Sequence, residues 1–347
     1  MKMKINFSPM LGLIIGLFIC SVMVWFFNES PFHFLQILAG SFYQSKFDMG
    51  LTLYYVTIFI FSGLAFSIPF KAGLFNLGTE GQIIFTAMVA AVIGQMAQTN
   101  YTLVIVGTLI AGLLSAWIIA SFKAFRNSHE VVVAIMLNFI FASLASYVVL
   151  NFYQNTSSQN PESSLIQVSL QGASQDPLKV YFDGAPVSCF LILGLICAMG
   201  VWVLENKTRW GLEMKAFGEN PAASERAGIS HRKIIFLVLG LSGVFSSLIG
   251  LTEILGNTFQ YKIGFSVTYG FLGIVVALLA QGNPIGIIFS AFVIAILHKG
   301  ASDLDMETMH LTRDYSKVIQ AVIILSVGAA VYFEKKLKYF ISKKKGR

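Results

Sequence analysis

Residues 49–70, MGLTLYYVTIFIFSGLAFSIPF, run into residues 71–82, KAGLFNLGTEGQ, and then into residues 83–97, IIFTAMVAAVIGQMA. Two apolar runs, 49–70 and 82–97, are thus joined by a short polar break rich in glycine. About 20 mostly apolar residues in a helix cross the roughly 30 Å of hydrocarbon in a bilayer. A run of that kind must be helical in lipid, because each unpaired backbone group there costs several kcal/mol and an open sheet leaves many of them. The stretch is therefore predicted to be two membrane-crossing helices joined by a turn.

The same pattern recurs along all 347 residues. Bounded by polar clusters, the apolar runs fall at about 10–27, 49–70, 82–97, 101–121, 130–152, 188–204, 234–256, 267–281, 284–299 and 317–333. The third, eighth and ninth are short. The composition agrees: 56% of residues are apolar and 12% charged, against about 25% charged in soluble domains, and the mean hydropathy is +0.72. The expected fold is all-α, a polytopic helical membrane protein of about ten transmembrane helices forming one domain over 1–347. A soluble enzyme, a disordered chain and a secreted disulfide scaffold are disfavoured. Cys20, Cys189 and Cys197 lie in apolar runs without a CxxC spacing and read as small buried residues. Lys2 and Lys4 precede an apolar run too long for a signal peptide, so the segment reads as a retained first span.

Basic residues orient the chain. With the N-terminus inside, cytoplasmic segments hold Lys2, Lys4, Lys71, Lys123, Arg126, the six basic residues between Lys207 and Lys233, and the seven between Lys335 and Arg347. Lys46, Lys179, Lys262, Lys299, Arg313 and Lys317 fall on the outer side. Both termini are accordingly predicted to be cytoplasmic. The net charge of +7 then belongs largely to a cytoplasmic face, and a nucleic-acid partner has no support. The polar pieces are an outer loop at about 153–187 and a cytoplasmic loop at about 205–233. Pro31 to Phe47 reads as an interfacial segment, and the tail from Glu334 as a basic amphipathic end at an anionic membrane surface.

Polar groups inside apolar surroundings are expensive unless they face protein or water. Asn76, Glu80 and Gln82 in the 71–82 break therefore mark a pathway by default, although a cytoplasmic turn with Glu80 in ordinary solvent would look the same. Asn138, inside the fifth run, could bond a substrate or, more commonly, a neighbouring helix. Glu253 stands near the outer end of the seventh. Gly73-x-x-x-x-Gly78 starts like a phosphate loop, but Thr79 and Glu80 follow where Lys and Ser/Thr are required, so nucleotide binding is rejected. His33, His129, His231, His298 and His310 are scattered, without metal-ligand spacing, and no hydrolase elbow occurs. Asp303, Asp305, Glu307 and Asp314 read as a solvated acidic outer loop.

The cytoplasmic loop contains GENPAASERAGISHRK, residues 218–233. Asn220 suits an N-cap, Pro221 the first helical position and Gly228 the residue beyond the end. The helix would span about Pro221 to Ala227, too short to be stable alone in water. Ala222, Ala223 and Ala227 give it a small-residue face. Docking into a partner's groove and packing on its own protein are both compatible with that face.

At these residues the sequence resembles the permease subunits of bacterial ATP-binding-cassette importers of the nucleoside and simple-sugar branch. Phe75 to Gln82, FNLGTEGQ, is similar to that family's FNIGxEGQ, with Leu77 for Ile. His129 to Asn138, HEVVVAIMLN, resembles NEVIxTLMLN, with His129 and Ala134 as departures. Gly218 to Ile229 resembles GENPxAAxxAGI, with Ser224 where the second alanine often falls. Tyr269 to Gly286, YGFLGIVVALLAQGNPIG, resembles YGFxGIAVALLGxxNPLG, and Val318 to Leu325 a VIQGLIIL stretch. The matches lie in order from about residue 50 to 330. The Phe75 version, the length and the outer loop resemble the longer of the two permeases in nucleoside systems.

The resemblance implies a permease subunit in the bacterial cytoplasmic membrane, forming the passage for nucleosides. Related simple sugars, or an ion-coupled secondary transporter, are the alternatives; the latter would want paired carboxylates or basic residues at mid-membrane. It further implies a second permease in a heterodimer, a cytoplasmic ABC ATPase, and an extracytoplasmic substrate-binding lipoprotein. The chain itself would not be an enzyme. It would bind no metal or cofactor, and ATP would be used by the partner. Asn76, Glu80, Gln82 and Asn138 are the expected pathway residues. Gly218, Glu219, Asn220, Pro221, Ala222, Ala223 and Gly228 are the expected ATPase-coupling residues.

Overall fold

A computed structural model describes residues 8–97, 100–166, 176–266, 268–308, 317–319, 321–323, 325–330 and 333. The described residues are mostly helical, and the β pairing among them is limited to two isolated bridges. The helices are α1 (Ser8–Phe26), α2 (Pro31–Gly40), α3 (Lys46–Lys71), α4 (Thr79–Ala97), α5 (Tyr101–Arg126), α6 (Glu130–Phe152), α7 (Pro177–Tyr181), α8 (Phe190–Lys207), α9 (Arg209–Glu219), α10 (Pro221–Arg226), α11 (His231–Glu253), α12 (Tyr269–Leu279) and α13 (Pro284–Glu307), with a π turn at Ile254–Thr258 after α11. Among the described residues, seven helices are long and apolar enough to cross a membrane: α1, α3, α5, α6, α8, α11 with its π turn, and α13. They correspond to the first, second, fourth, fifth, sixth, seventh and ninth predicted runs. The third run became α4, and the eighth α12, of 11 residues. The tail from Glu334 lies outside the described residues.

α3 is the centre of the molecule. It packs against α11, α12, α13 and α8, and residues on all sides of it are buried, from Tyr54 and Val56 to Ile68. A helix that is apolar all round is suited to that position. α11 lies along α5, and the two touch backbone to backbone: a Cβ at Gly243 would overlap the carbonyl oxygen of Gly112. Small residues permit this closeness, which gains dispersion contacts where lipid supplies no hydrophobic drive between helices. The opposite surface is built differently. α1, α6 and α8 expose Ile14, Phe18, Val132, Phe139, Ile140, Ile196 and Met199, the arrangement of faces solvated by lipid chains.

Three readings change. The segment after residue 31 is not merely interfacial: α2 buries Phe34, Ile37 and Leu38 against α13 and α1. The acidic residues 303–307 are not in a loop but continue α13: Lys299 draws Asp303 into an i,i+4 pair at 2.6 Å and forms a second, long-range ion pair with Asp48 of α3 at 2.9 Å. Burial of Lys299, 2% exposed, is offset by those two carboxylates. The loop at 205–233 contains a whole further helix, α9, N-capped by the Thr208 hydroxyl, which accepts from Gly211 N.

Candidate functional site

The 71–82 break is held by a buried polar network. α3 ends at Lys71, and Gly73, at φ +69°, takes a left-handed conformation that glycine adopts without strain. Asn76 is 1% and Gln82 0% exposed. The Asn76 amide donates to Gln82 Oε1 at 3.1 Å and to Ser242 Oγ of α11 at 2.8 Å. Its own oxygen accepts from Gly78 N at 3.0 Å. Ser246 Oγ donates to the same Gln82 oxygen at 3.1 Å. The Ser242 hydroxyl in turn donates to the Ala65 carbonyl of α3. One side-chain network therefore ties α3, α4 and α11 at the break. Most buried polar groups of this kind are hydrogen-bonded; Gln82 Nε2 is the member of the network without a partner.

Glu80 is buried too, and it is not in open solvent. Its carboxylate accepts from Ser266 Oγ at 2.9 Å, Thr268 N at 3.2 Å and Gly270 N at 2.7 Å. These backbone donors belong to the start of α12, whose first N–H groups have no intrahelical acceptor. A carboxylate at a helix N-terminus is favoured by both hydrogen bonding and the helix dipole. Glu80 thus acts as an N-terminal cap supplied from another helix. Ser62 Oγ of α3 donates to the Tyr269 carbonyl at 2.8 Å, fixing the same turn from its other side.

Asn138 joins the break from α6. Its side-chain oxygen accepts from Gly81 N at 2.9 Å and its amide donates to the Leu77 carbonyl at 2.9 Å. Both functions of the side chain are used by a neighbouring backbone. Gly81 allows this, since a Cβ there would stand 2.5 Å from Asn138 Cα. The four expected pathway residues are consequently brought to one region, with their hydrogen bonds turned inward to shape the break.

The break is in contact with the loop at 205–233. Lys71 forms an ion pair with Glu205 at the end of α8. Lys215 of α9 donates to the Glu205 carbonyl at 2.8 Å and to Asn206 Oδ1 at 3.2 Å. Gly218 lies against the Lys71–Ala72 peptide, where a Cβ would overlap the Lys71 carbonyl oxygen. Lys123 pairs with Glu130 at 2.8 Å, clamping α5 to α6.

Beyond Gly218 and Glu219 comes α10. Asn220 Oδ1 accepts from Ala223 N at 3.1 Å, Pro221 occupies the first turn, and Gly228 has φ +80°. The helix ends at Arg226 with Ala227 as its C-cap. Ala222, Ala223 and Ala227 are exposed. Ser224, the departure from the motif, is the buried residue of the helix. Its hydroxyl donates to the Pro221 carbonyl at 2.7 Å, and His231 Nε2 donates to that carbonyl at 2.8 Å. The His231 ring also meets Phe217 edge to face at 4.9 Å. α10 is therefore fixed to the body by one face and presents its alanines on the other.

Sequence reasoning missed Ser242, Ser246 and Ser266 as partners of the break, the Lys71–Glu205 pair, and α9. A run of hydroxyls within an apolar helix, at Ser242, Ser246 and Ser247, was the available signal for the first. Thr208 before an amphipathic stretch was the signal for α9. Among the described residues no three His, Cys, Asp or Glu side chains are grouped to hold a metal.

Residues 49–328 match the family described as branched-chain amino acid transport system / permease component. The guanosine ABC transporter permease protein NupP of Bacillus subtilis is 30% identical over 331 residues, covering 93% of this chain and 92% of that protein. The glucose ABC transporter permease protein TsgB13 of Haloferax volcanii is 26% identical, covering 94% of this chain and 88% of that one. The nucleoside ABC transporter permease protein NupB of Lactococcus lactis is 26% identical, covering 94% and 91%.

Proposed function

Because this chain belongs to the branched-chain amino acid transport system / permease component family, we propose that it is the subunit forming the membrane passage of an ATP-binding-cassette importer for nucleosides. Two of the relatives, NupP and NupB, are named for guanosine and nucleoside transport. The glucose permease TsgB13 favours a sugar as the second reading. The chain is a multi-pass protein of the bacterial cytoplasmic membrane. It works with a cytoplasmic ATPase, which uses the ATP, an extracytoplasmic binding lipoprotein that delivers the substrate, and a second permease that completes the passage as a heterodimer.

The observation that carries this reading is the unbroken connection from α10 to the polar break. α10 offers the ATPase an exposed, small-residue face. Gly218, in the last turn of α9 just before α10, is seated on the Lys71–Ala72 peptide, and that peptide leads into the segment of Asn76, Glu80 and Gln82. A shift of α10 during nucleotide-driven closure is passed to the wall of the passage, where Asn76, Glu80, Gln82 and Asn138 hold the break in shape. Such coupling requires contacts that differ between the outward- and inward-open states. The structure of α10 makes the test specific. Ala223→Glu places a charge on the exposed face while leaving the buried Ser224–His231 anchor intact. The purified complex should lose ATPase subunit or transport-linked ATP turnover, while insertion and folding persist. Wild-type ATPase retention, turnover and nucleoside uptake in that variant would refute α10 as the coupling element.

A further inference from the structure

A second constellation lies away from the break. Tyr55 of α3, Tyr269 of α12 and His298 of α13 bring three rings together. Tyr55 and His298 are 4.7 Å apart between centroids, Tyr269 and His298 5.9 Å, and Tyr55 and Tyr269 6.4 Å, all edge to face. Phe59 closes one side, stacked on Tyr55 at 6.4 Å and 5.5 Å from His298. Phe59 is fully buried, whereas Tyr55, Tyr269 and His298 are each only half-buried. Three rings from three helices thus meet beside the buried Phe59, and each of the three residues keeps some accessible surface.

The surroundings fix these rings and settle the local charge. Tyr54, beside Tyr55 at 5.3 Å, donates its hydroxyl to Glu253. Asn257, carried inward by the π turn, donates to Glu253 Oε1 and to the Tyr54 hydroxyl, each at 3.1 Å. Lys299, next to His298, is engaged by Asp48 and Asp303. Tyr269 is held through its backbone by Ser62, and the turn around it by Glu80. The charged groups nearby are therefore already engaged, Lys299 by two carboxylates and Glu253 and Glu80 by neutral hydrogen-bond donors, and the ring cluster itself offers no charged partner, which suits a neutral ligand. Packing alone would be served by leucine at these positions; aromatic rings add faces that stack.

We propose that Tyr55, Tyr269 and His298 form an aromatic station that contacts the base of a nucleoside on its way through the membrane. The ligand class is a neutral planar heterocycle carrying a hydroxylated sugar. Base–aromatic stacking tolerates different bases because every base has a π face, as a passage for several nucleosides requires. Glu253, Asn257 and Glu80 serve as positioning residues, acting through Tyr54 and the first turn of α12.

This inference rests on the nucleoside reading, and the experiment separates the two. The complete importer is assayed for initial uptake of tritiated guanosine and uridine below saturation, and for labelling by an azidopurine nucleoside. Tyr55→Leu and Tyr269→Leu should each lower uptake about tenfold, whereas Tyr55→Phe and Tyr269→Phe, which keep the ring, should stay within about twofold of wild type. Photolabel should fall on peptides containing Tyr55, Tyr269 or His298. Full uptake by assembled leucine variants would overturn the aromatic station while leaving the nucleoside function standing. Label confined to other segments would do the same, and it decides the matter if the leucine variants fail to assemble. A wild-type importer that carries neither nucleoside would overturn both readings.

Discussion

Replacing Asn138 with leucine separates a structural from a ligand-contacting role for a polar residue inside a membrane helix. The side chain makes two bonds, from Gly81 N and to the Leu77 carbonyl, each 2.9 Å long. Gly81 lies in the first turn of α4, where the backbone N–H has no carbonyl one turn earlier to bond. Leucine removes both partners at once and leaves one donor and one acceptor of the neighbouring backbone unsatisfied. Each such group costs about 1–3 kcal/mol when buried. Asn138 is only half-buried, and some compensation by water brings the sum to the lower end, about 2–3 kcal/mol. The detergent-solubilised protein is heated and its folded fraction followed by size exclusion. The midpoint should fall for Asn138→Leu. An unchanged midpoint for leucine with strongly reduced uptake would refute this reasoning and assign Asn138 to the substrate.

Two further outcomes follow from the same geometry. Glu80→Gln replaces one accepting oxygen by an amide that points a donor at donors. It should destabilise the start of α12 by about 2 kcal/mol, seen as faster amide hydrogen exchange across residues 268–273; exchange equal to wild type would show that the cap is dispensable. Lys71→Met strands the buried Glu205 carboxylate and should cost about 3–5 kcal/mol, much of it recovered in the double variant Lys71→Met/Glu205→Leu. Additive losses in the thermal midpoints of the two single variants would mean that the pair is not coupled.

Much of the fold was legible because the bilayer is a demanding solvent. Long apolar runs without charges can only be helices, and the limits of α6, residues 130–152, coincide with the run read from the sequence. The cap of α10 was equally local: Asn220, Pro221 and Gly228 each fix a conformation of their own backbone, and all three take up the predicted positions. Helices that are short or partly polar were harder. α9 has too few apolar residues to announce itself, and the acidic end of α13 looked like a loop because its counter-charge, Lys299, was assigned no partner.

The sequence by itself determined that the chain is a multi-helix membrane protein, where its polar break lies, and which residues cap α10. These follow from the hydropathy of contiguous segments and from bonds spanning a few residues. Only the tertiary structure decided what the polar residues do. Glu80 caps a helix that begins nearly two hundred residues later, Asn76 reaches Ser242, and Tyr55, Tyr269 and His298 meet from three helices. A buried carboxylate or amide takes whichever partner the packing brings within 3 Å or so, and that choice depends on helix rotation and crossing, which a single segment's pattern does not encode.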